Sequence, residues 1–82
     1  MPRLRRLNGQ EVVRIFEGFG FAVLRVRGSH HVMRRVANEG KQTLNIPVHG
    51  KQPLGMGLLK SIYRDACRHI PEDELFPHFY SE

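Results

Sequence analysis

Two strand-like runs, FAVLRVR (residues 21–27) and HHVMRRV (30–36), are separated only by Gly28 and Ser29. A connection this short joins antiparallel neighbours, because a parallel partner needs a crossover of about a dozen residues or more. Glycine in first place suits a turn whose first central residue takes a positive φ. The middle of the chain is therefore a hairpin, and everything else must pack around it.

Upstream the apolar period is helical. In LNGQEVVRIFEGFGF, Asn8 can cap free backbone N–H groups, Glu11 stands where a capping-box acid reaches back, and Leu7 can staple onto Val12. The spacing predicts a helix from about Gly9, with Val12, Ile15, Phe16 and Phe19 on its apolar face and Gly20 ending it. Downstream, ANEGK reads as a second turn and QTLNIPV as a third strand, with Leu44, Ile46 and Val48 alternating against Thr43 and Asn45. HGKQPLGMG is a loop by composition. LLKSIYRDACRHI then returns to helical spacing, with Leu59, Ile62, Tyr63, Ala66 and Ile70 on one face. Pro71 suits the first position of another short helix, whose acids Glu72, Asp73 and Glu74 sit at the positive end of its dipole.

The resulting order, α-β-β-β-α, is an α+β arrangement in which both main helices bury their apolar faces on one side of a three-stranded antiparallel sheet. The opposite face is left to solvent or to a partner. With no repeat, linker or low-complexity tract, the 82 residues are expected to form one small domain.

Charge points to the kind of partner. Residues 1–60 hold 11 Lys and Arg against 3 acids, and residues 61–82 hold 2 against 5, so a basic body carries an acidic tail. Of the 13 cations 10 are arginine, the side chain whose planar fork suits phosphate. Arg25, Arg27, Arg34 and Arg35 are expected to gather around the hairpin, and such crowding of like charges suits an anionic ligand. Arg5 and Arg6 read as a frayed, solvated N-terminus, and Lys51 and Lys60 as ordinary surface residues. The single cysteine, Cys67, cannot form an intrachain disulfide and falls near the inward face of the second long helix. Neither a secretory signal nor a membrane-length apolar run is visible, so a cytoplasmic, soluble protein without a membrane role is expected.

The histidines carry the chemistry. A side chain that titrates near neutrality can accept and donate a proton, and RNA cleavage requires both, at the attacking 2′-hydroxyl and at the departing 5′-oxygen. Adjacent residues of a strand point to opposite faces, so only one of His30 and His31 can serve a given site. His30, His49, His69 and Cys67 lack the close-spaced pairs of a zinc site, and no metal is expected.

At this point the chain resembles a known family. The helix GQEVVRIFEGFGF, the hairpin RVRGSHHVMRR, the strand TLNIPVHGK and the helix GLLKSIYRDA fall in the order and spacing of the HicA toxins, small ribonucleases of toxin-antitoxin modules. The resemblance covers about residues 7–76, with an acidic tail over 70–82. Its most specific element is Gly-Ser-His at 28–30 followed by a strand ending in Pro-x-His at 47–49.

The resemblance implies a double-stranded-RNA-binding-like fold and a metal-independent mRNA interferase that needs no cofactor. It makes His30 the catalytic acid and base, and implies a HicB-like antitoxin as inhibitor. On this reading Gly28, Ser29, Arg25, Arg27, Arg34, His49 and Lys51 bind the RNA. Met56-Gly57-Leu58 departs from the Pro-Gly-Thr that often opens the last helix in the family, which removes a capping hydroxyl. The acidic tail is longer than the family minimum and is free to fold back on the basic face. The alternative is a non-catalytic RNA-binding module, since the same topology reads duplex RNA by shape.

Overall fold

The computed structural model describes residues 1–38 and 40–82. Its elements run β1 (Arg3–Leu4), α1 (Gly9–Gly18), β2 (Ala22–Arg27), β3 (His30–Ala37), β4 (Gly40–Pro47), α2 (Met56–Ala66), α3 (Glu72–Phe79) and β5 (Tyr80–Ser81). The expected α-β-β-β-α order is present as α1-β2-β3-β4-α2, and the main sheet is antiparallel with strand order β2-β3-β4. Among the described residues no helix is long and apolar enough to cross a membrane.

Local chemistry sets each element where the sequence places it. Asn8 Oδ1 accepts from the Glu11 N–H at 2.8 Å, and the Glu11 carboxylate accepts from the Asn8 N–H at 2.9 Å, closing the capping box. Gly20 follows α1 with φ +92°. Gly28 has φ +59°, and no described non-glycine residue has a positive φ, so Gly28-Ser29 follows the type II′ pattern. Arg27 pairs with His30 across that turn. Ala37 pairs with Gly40 at the other end of β3, while Glu39 of the expected ANEGK turn lies outside the described residues.

The core lies between the sheet and the helices. Met33, Leu44 and Ile46 on the sheet meet Val12 and Phe16 of α1 and Leu59, Ile62 and Ala66 of α2. Phe16 is the hub, with its ring 5.9 Å from those of both Phe21 and Phe79. Leu7 and Val12, the expected staple pair, are both in this cluster. Gly9 has no room for a side chain: a Cβ there would run into the Pro47 carbonyl oxygen and lie 2.8 Å from Val48 Cα. That close approach seats the start of α1 on the end of β4.

Arg35 holds the other end. Its Nη1 donates to the carbonyl of Phe19, the C-cap of α1, and its Nη2 to the carbonyl of His69, just beyond α2, each at 2.8 Å. Its Nε donates to Gln42 Oε1 on β4, also at 2.8 Å, and its guanidinium lies 4.7 Å from the centre of the Phe21 ring. One cation thus satisfies carbonyls at two helix C-terminal ends, where the dipoles are negative.

Several boundaries differ from the sequence reading. α2 starts at Met56 and stops at Ala66, earlier at both ends than LLKSIYRDACRHI, although Ile70 beyond it is buried as expected. Its N-cap, Gly55, makes no side-chain cap, in line with the missing hydroxyl. Pro71 is the N-cap of α3 rather than its first residue. Arg5 is not frayed: β1 pairs with β5, the Arg5 N–H donates to the Phe79 carbonyl and Arg5 Nη1 to that of His78, each at 2.8 Å. Nor does the tail fold onto the basic face of the sheet. Leu75 and Phe79 are fully buried, and the Phe79 ring packs 5.2 Å from Tyr63, on the helix side.

Arg35→Ala is expected to lower stability by roughly 2–4 kcal/mol, since charge-assisted bonds are lost and two helix-end carbonyls are left without a partner. Arg27, exposed on β2, is the control: Arg27→Ala should change stability by no more than about 0.5 kcal/mol. Urea unfolding of both variants measures the difference, and equal midpoints would show that Arg35 does not hold the helices.

Candidate active site

Strand register assigns every hairpin side chain to a face. His31, Met33 and Arg35 of β3 pair with or lie beside Ile46, Leu44 and Gln42 of β4 on the helix side. His30, Val32 and Arg34 therefore point the other way, together with Asn45 and Thr43 of β4 and Arg25 and Arg27 of β2. On that open face Arg25, Arg27, His30, Val32 and Asn45 line a depression of about 290 Å³.

The ring of His30 is oriented within it. His30 Nδ1 lies 3.3 Å from Asn45 Oδ1. With the amide oxygen of Asn45 toward the ring, the contact puts the proton on Nδ1 and leaves Nε2 with its lone pair free whenever the ring is neutral. His30 faces the Arg27 backbone across the turn, one position from Arg25 on the same face. A proton acceptor and two arginines thus line one open cup. Such a group of side chains can neutralise a phosphate and take a proton from a hydroxyl beside it.

The remaining expected residues fall in different places. Gly28 and Ser29 form the turn at the lip of the cup, and the Ser29 carbonyl accepts from Val48 N–H at 2.6 Å, fastening the turn to the exit of β4. Arg34 shares the open face but pairs with Ala22 and Thr43, four residues along β3 from His30, or about 13 Å at ordinary strand rise. Its Nε is buried and has no hydrogen-bond partner among the described residues. His49 and Lys51 are exposed in the segment after β4 and do not line the cup.

The expected cluster of four arginines around the turn is not what the pairing produces. The same register that sets Arg27 opposite His30 carries Arg34 to the far end of the hairpin, and strand alternation turns Arg35 under the sheet. Asn45 is the site residue that the sequence reading passed over. Its only sequence signal is an amide at an outward position of a strand that alternates cleanly.

Two groups away from the cup, Tyr63 and Cys67, are shifted from their ordinary protonation. Burial pushes the Tyr63 hydroxyl well above its ordinary range, helped by its donation to Glu72 at 3.1 Å. Burial likewise raises the Cys67 thiol, and Cys67 packs against the core as the sequence suggests. Both are poor nucleophiles at neutral pH.

A family model described as "HicA toxin of bacterial toxin-antitoxin" matches residues 9–67, a span that runs from the first residue of α1 to the C-cap of α2. No curated protein matches the chain.

The His30–Asn45 contact has a direct spectroscopic consequence. Ring ¹⁵N shifts of neutral His30 should report a proton on Nδ1, and Asn45→Leu should remove that bias without unfolding the chain, because Asn45 is exposed. Identical shifts in the two proteins would mean that Asn45 does not orient the ring.

Proposed function

The chain belongs to the HicA toxin family, and we propose that it is an endoribonuclease that cuts mRNA and is restrained by a HicB-like antitoxin. The observation that carries this reading is the His30 ring held by Asn45 in a cup walled by Arg25 and Arg27. In the reaction, Nε2 of neutral His30 takes the proton of a ribose 2′-hydroxyl. The 2′-oxygen forms a bond to the adjacent phosphorus, and the bond from phosphorus to the 5′-oxygen breaks. The departing 5′-oxygen takes a proton from the imidazolium or from water in the open cup. Products are a 2′,3′-cyclic phosphate, open to hydrolysis to a 3′-phosphate, and a 5′-hydroxyl.

Arg25 and Arg27 supply the electrostatic part. Charge builds on the phosphoryl oxygens as the 2′-oxygen attacks, and the two guanidinium groups stabilise it. Arg34, on the same face but farther along the hairpin, holds a neighbouring phosphate and so sets the path of the strand. Gly28 and Ser29 bring His30 to the lip of the cup through a turn too tight for most residues. His49 and Lys51 flank the approach at the exit of β4. His31, with its side chain under the sheet, takes no part in proton transfer.

His30→Ala should keep the fold and most of the RNA affinity while slowing cleavage by roughly 10²- to 10⁴-fold, the usual worth of a positioned acid or base. His31→Ala should cost less. Cleavage in the presence of chelator, with products resolved by end chemistry, is the assay. Cutting by His30→Ala at the wild-type rate would remove His30 from the mechanism, and binding without any cutting by the wild-type chain would favour the RNA-binding module.

Salt gives a second check. Each phosphate contact to a single strand contributes roughly 0.7 to the slope of log affinity against log salt. Arg27→Ala and Arg34→Ala should each flatten the slope by about that amount, measured by fluorescence anisotropy with a non-cleavable RNA. Slopes equal to wild type in both variants would place the RNA elsewhere.

A further inference from the structure

The strand that supplies Arg25 and Arg27 also carries a second surface, turned the other way. β2 is an edge strand, with β3 as its one neighbour in the sheet among the described residues, and all six of its residues are exposed. Val23 pairs with Met33 and Val26 with His31, which sets both valines on the helix side. The helices are packed over β4 and leave this margin bare: Val23 is 37% exposed, Leu24 44% and Val26 54%. Leu24 is the extra residue of a bulge between Val23 and Arg25. Along one short edge, then, Val23 and Val26 lie on the face opposite to Arg25 and Arg27.

An open apolar strand edge is a template for another chain, and the charges say which chain fits. A second copy does not. Antiparallel pairing of β2 with itself would bring Arg25 and Arg27 of both copies onto one face, within about 5–8 Å of one another. A strand with carboxylates on one side and apolar residues on the other matches both faces of β2 at once.

We propose that β2 is the docking edge for the neutralising partner, and that an extended, acidic segment of that partner adds to the sheet alongside Arg25–Arg27. The proposal rests on the toxin reading and extends it by saying where the inhibitor takes hold. Its apolar side chains cover Val23 and Val26, while its carboxylates reach over the edge to the arginines that RNA needs. The bulge breaks the outer row of backbone groups, so regular pairing is confined to the three residues nearest the turn. Attraction between the acids and the arginines speeds the encounter, and the apolar contacts set how long the complex lasts. Main-chain hydrogen bonds along the edge add affinity that does not depend on either.

The test uses Val26→Asp, a change on the face away from the cup, with the product of the adjacent reading frame as partner. The variant should cleave RNA at the wild-type rate while binding the partner about 10- to 100-fold more weakly, as expected for a hot-spot residue replaced by a repelling charge. Amide exchange should show new protection in β2 of the wild-type chain when the partner is bound. Equal partner affinity in the two proteins, or a complex without β2 protection, overturns the proposal. So does a free wild-type chain that sediments as a dimer dissolved by Val26→Asp, because the occupant would then be a second copy. Cleavage by the wild-type chain alone, measured in the same set, judges the ribonuclease reading separately.

Discussion

The guanidinium of Arg35 is the contact on which the arrangement of the molecule depends. A helix ends with carbonyls that have no partner within it, and here one such carbonyl past α1 and one past α2 converge on a single side chain of β3. With the head of α1 pressed onto the end of β4 through Gly9, α1 is fixed at both ends. Both helices therefore run the same way across the sheet, and their apolar faces are presented together to Met33, Leu44 and Ile46. The Phe21 ring beneath the guanidinium makes a partly buried charge tolerable there.

The same contact decides the site. Side chains of a strand alternate, so anchoring Arg35 beneath the sheet forces Arg34, Val32 and His30 to its open face. A slip of one residue would carry His30 into the core and put His31 in its place. The fold thus selects between two adjacent histidines through a residue five positions away, and it does so by pairing and parity, without any local preference of the histidines themselves. His31 takes the other consequence, with its Nδ1 buried and unpartnered among the described residues.

Much of this was legible in the sequence, because it rests on local chemistry. The capping box at Asn8, the left-handed Gly20, the turn at Gly28-Ser29 and the alternation of Leu44 and Ile46 each follow from a few neighbouring residues. Arg35 was not legible: next to Arg34 it reads as one more surface cation, and only the arrival of two distant carbonyls makes it structural. The pairing of β1 with β5 is equally hidden, since it joins two-residue strands nearly a chain length apart and leaves no periodic trace. The His30–Asn45 contact lies between these limits. Asn45 was correctly read as outward-facing, but its position beside His30 depends on the register of β3 with β4.

Sheet and tail together separate the charges of the molecule. α3 begins with Glu72, Asp73 and Glu74, yet its buried Leu75 and Phe79 draw it to the helix side, where Phe79 meets Phe16 and Tyr63. The acids are thereby held on the far side of the core from His30 instead of neutralising the arginines beside it. Sequence balance alone suggested an acidic tail free to cover a basic face, and apolar burial prevents it. The consequence is a hairpin whose arginines are not covered by the chain's own acids, which is the condition that both the proposed RNA site on the open face and the proposed docking edge at β2 require. Because all six residues of β2 are exposed, a ligand that engaged this strand would leave the contacts that hold the fold in place.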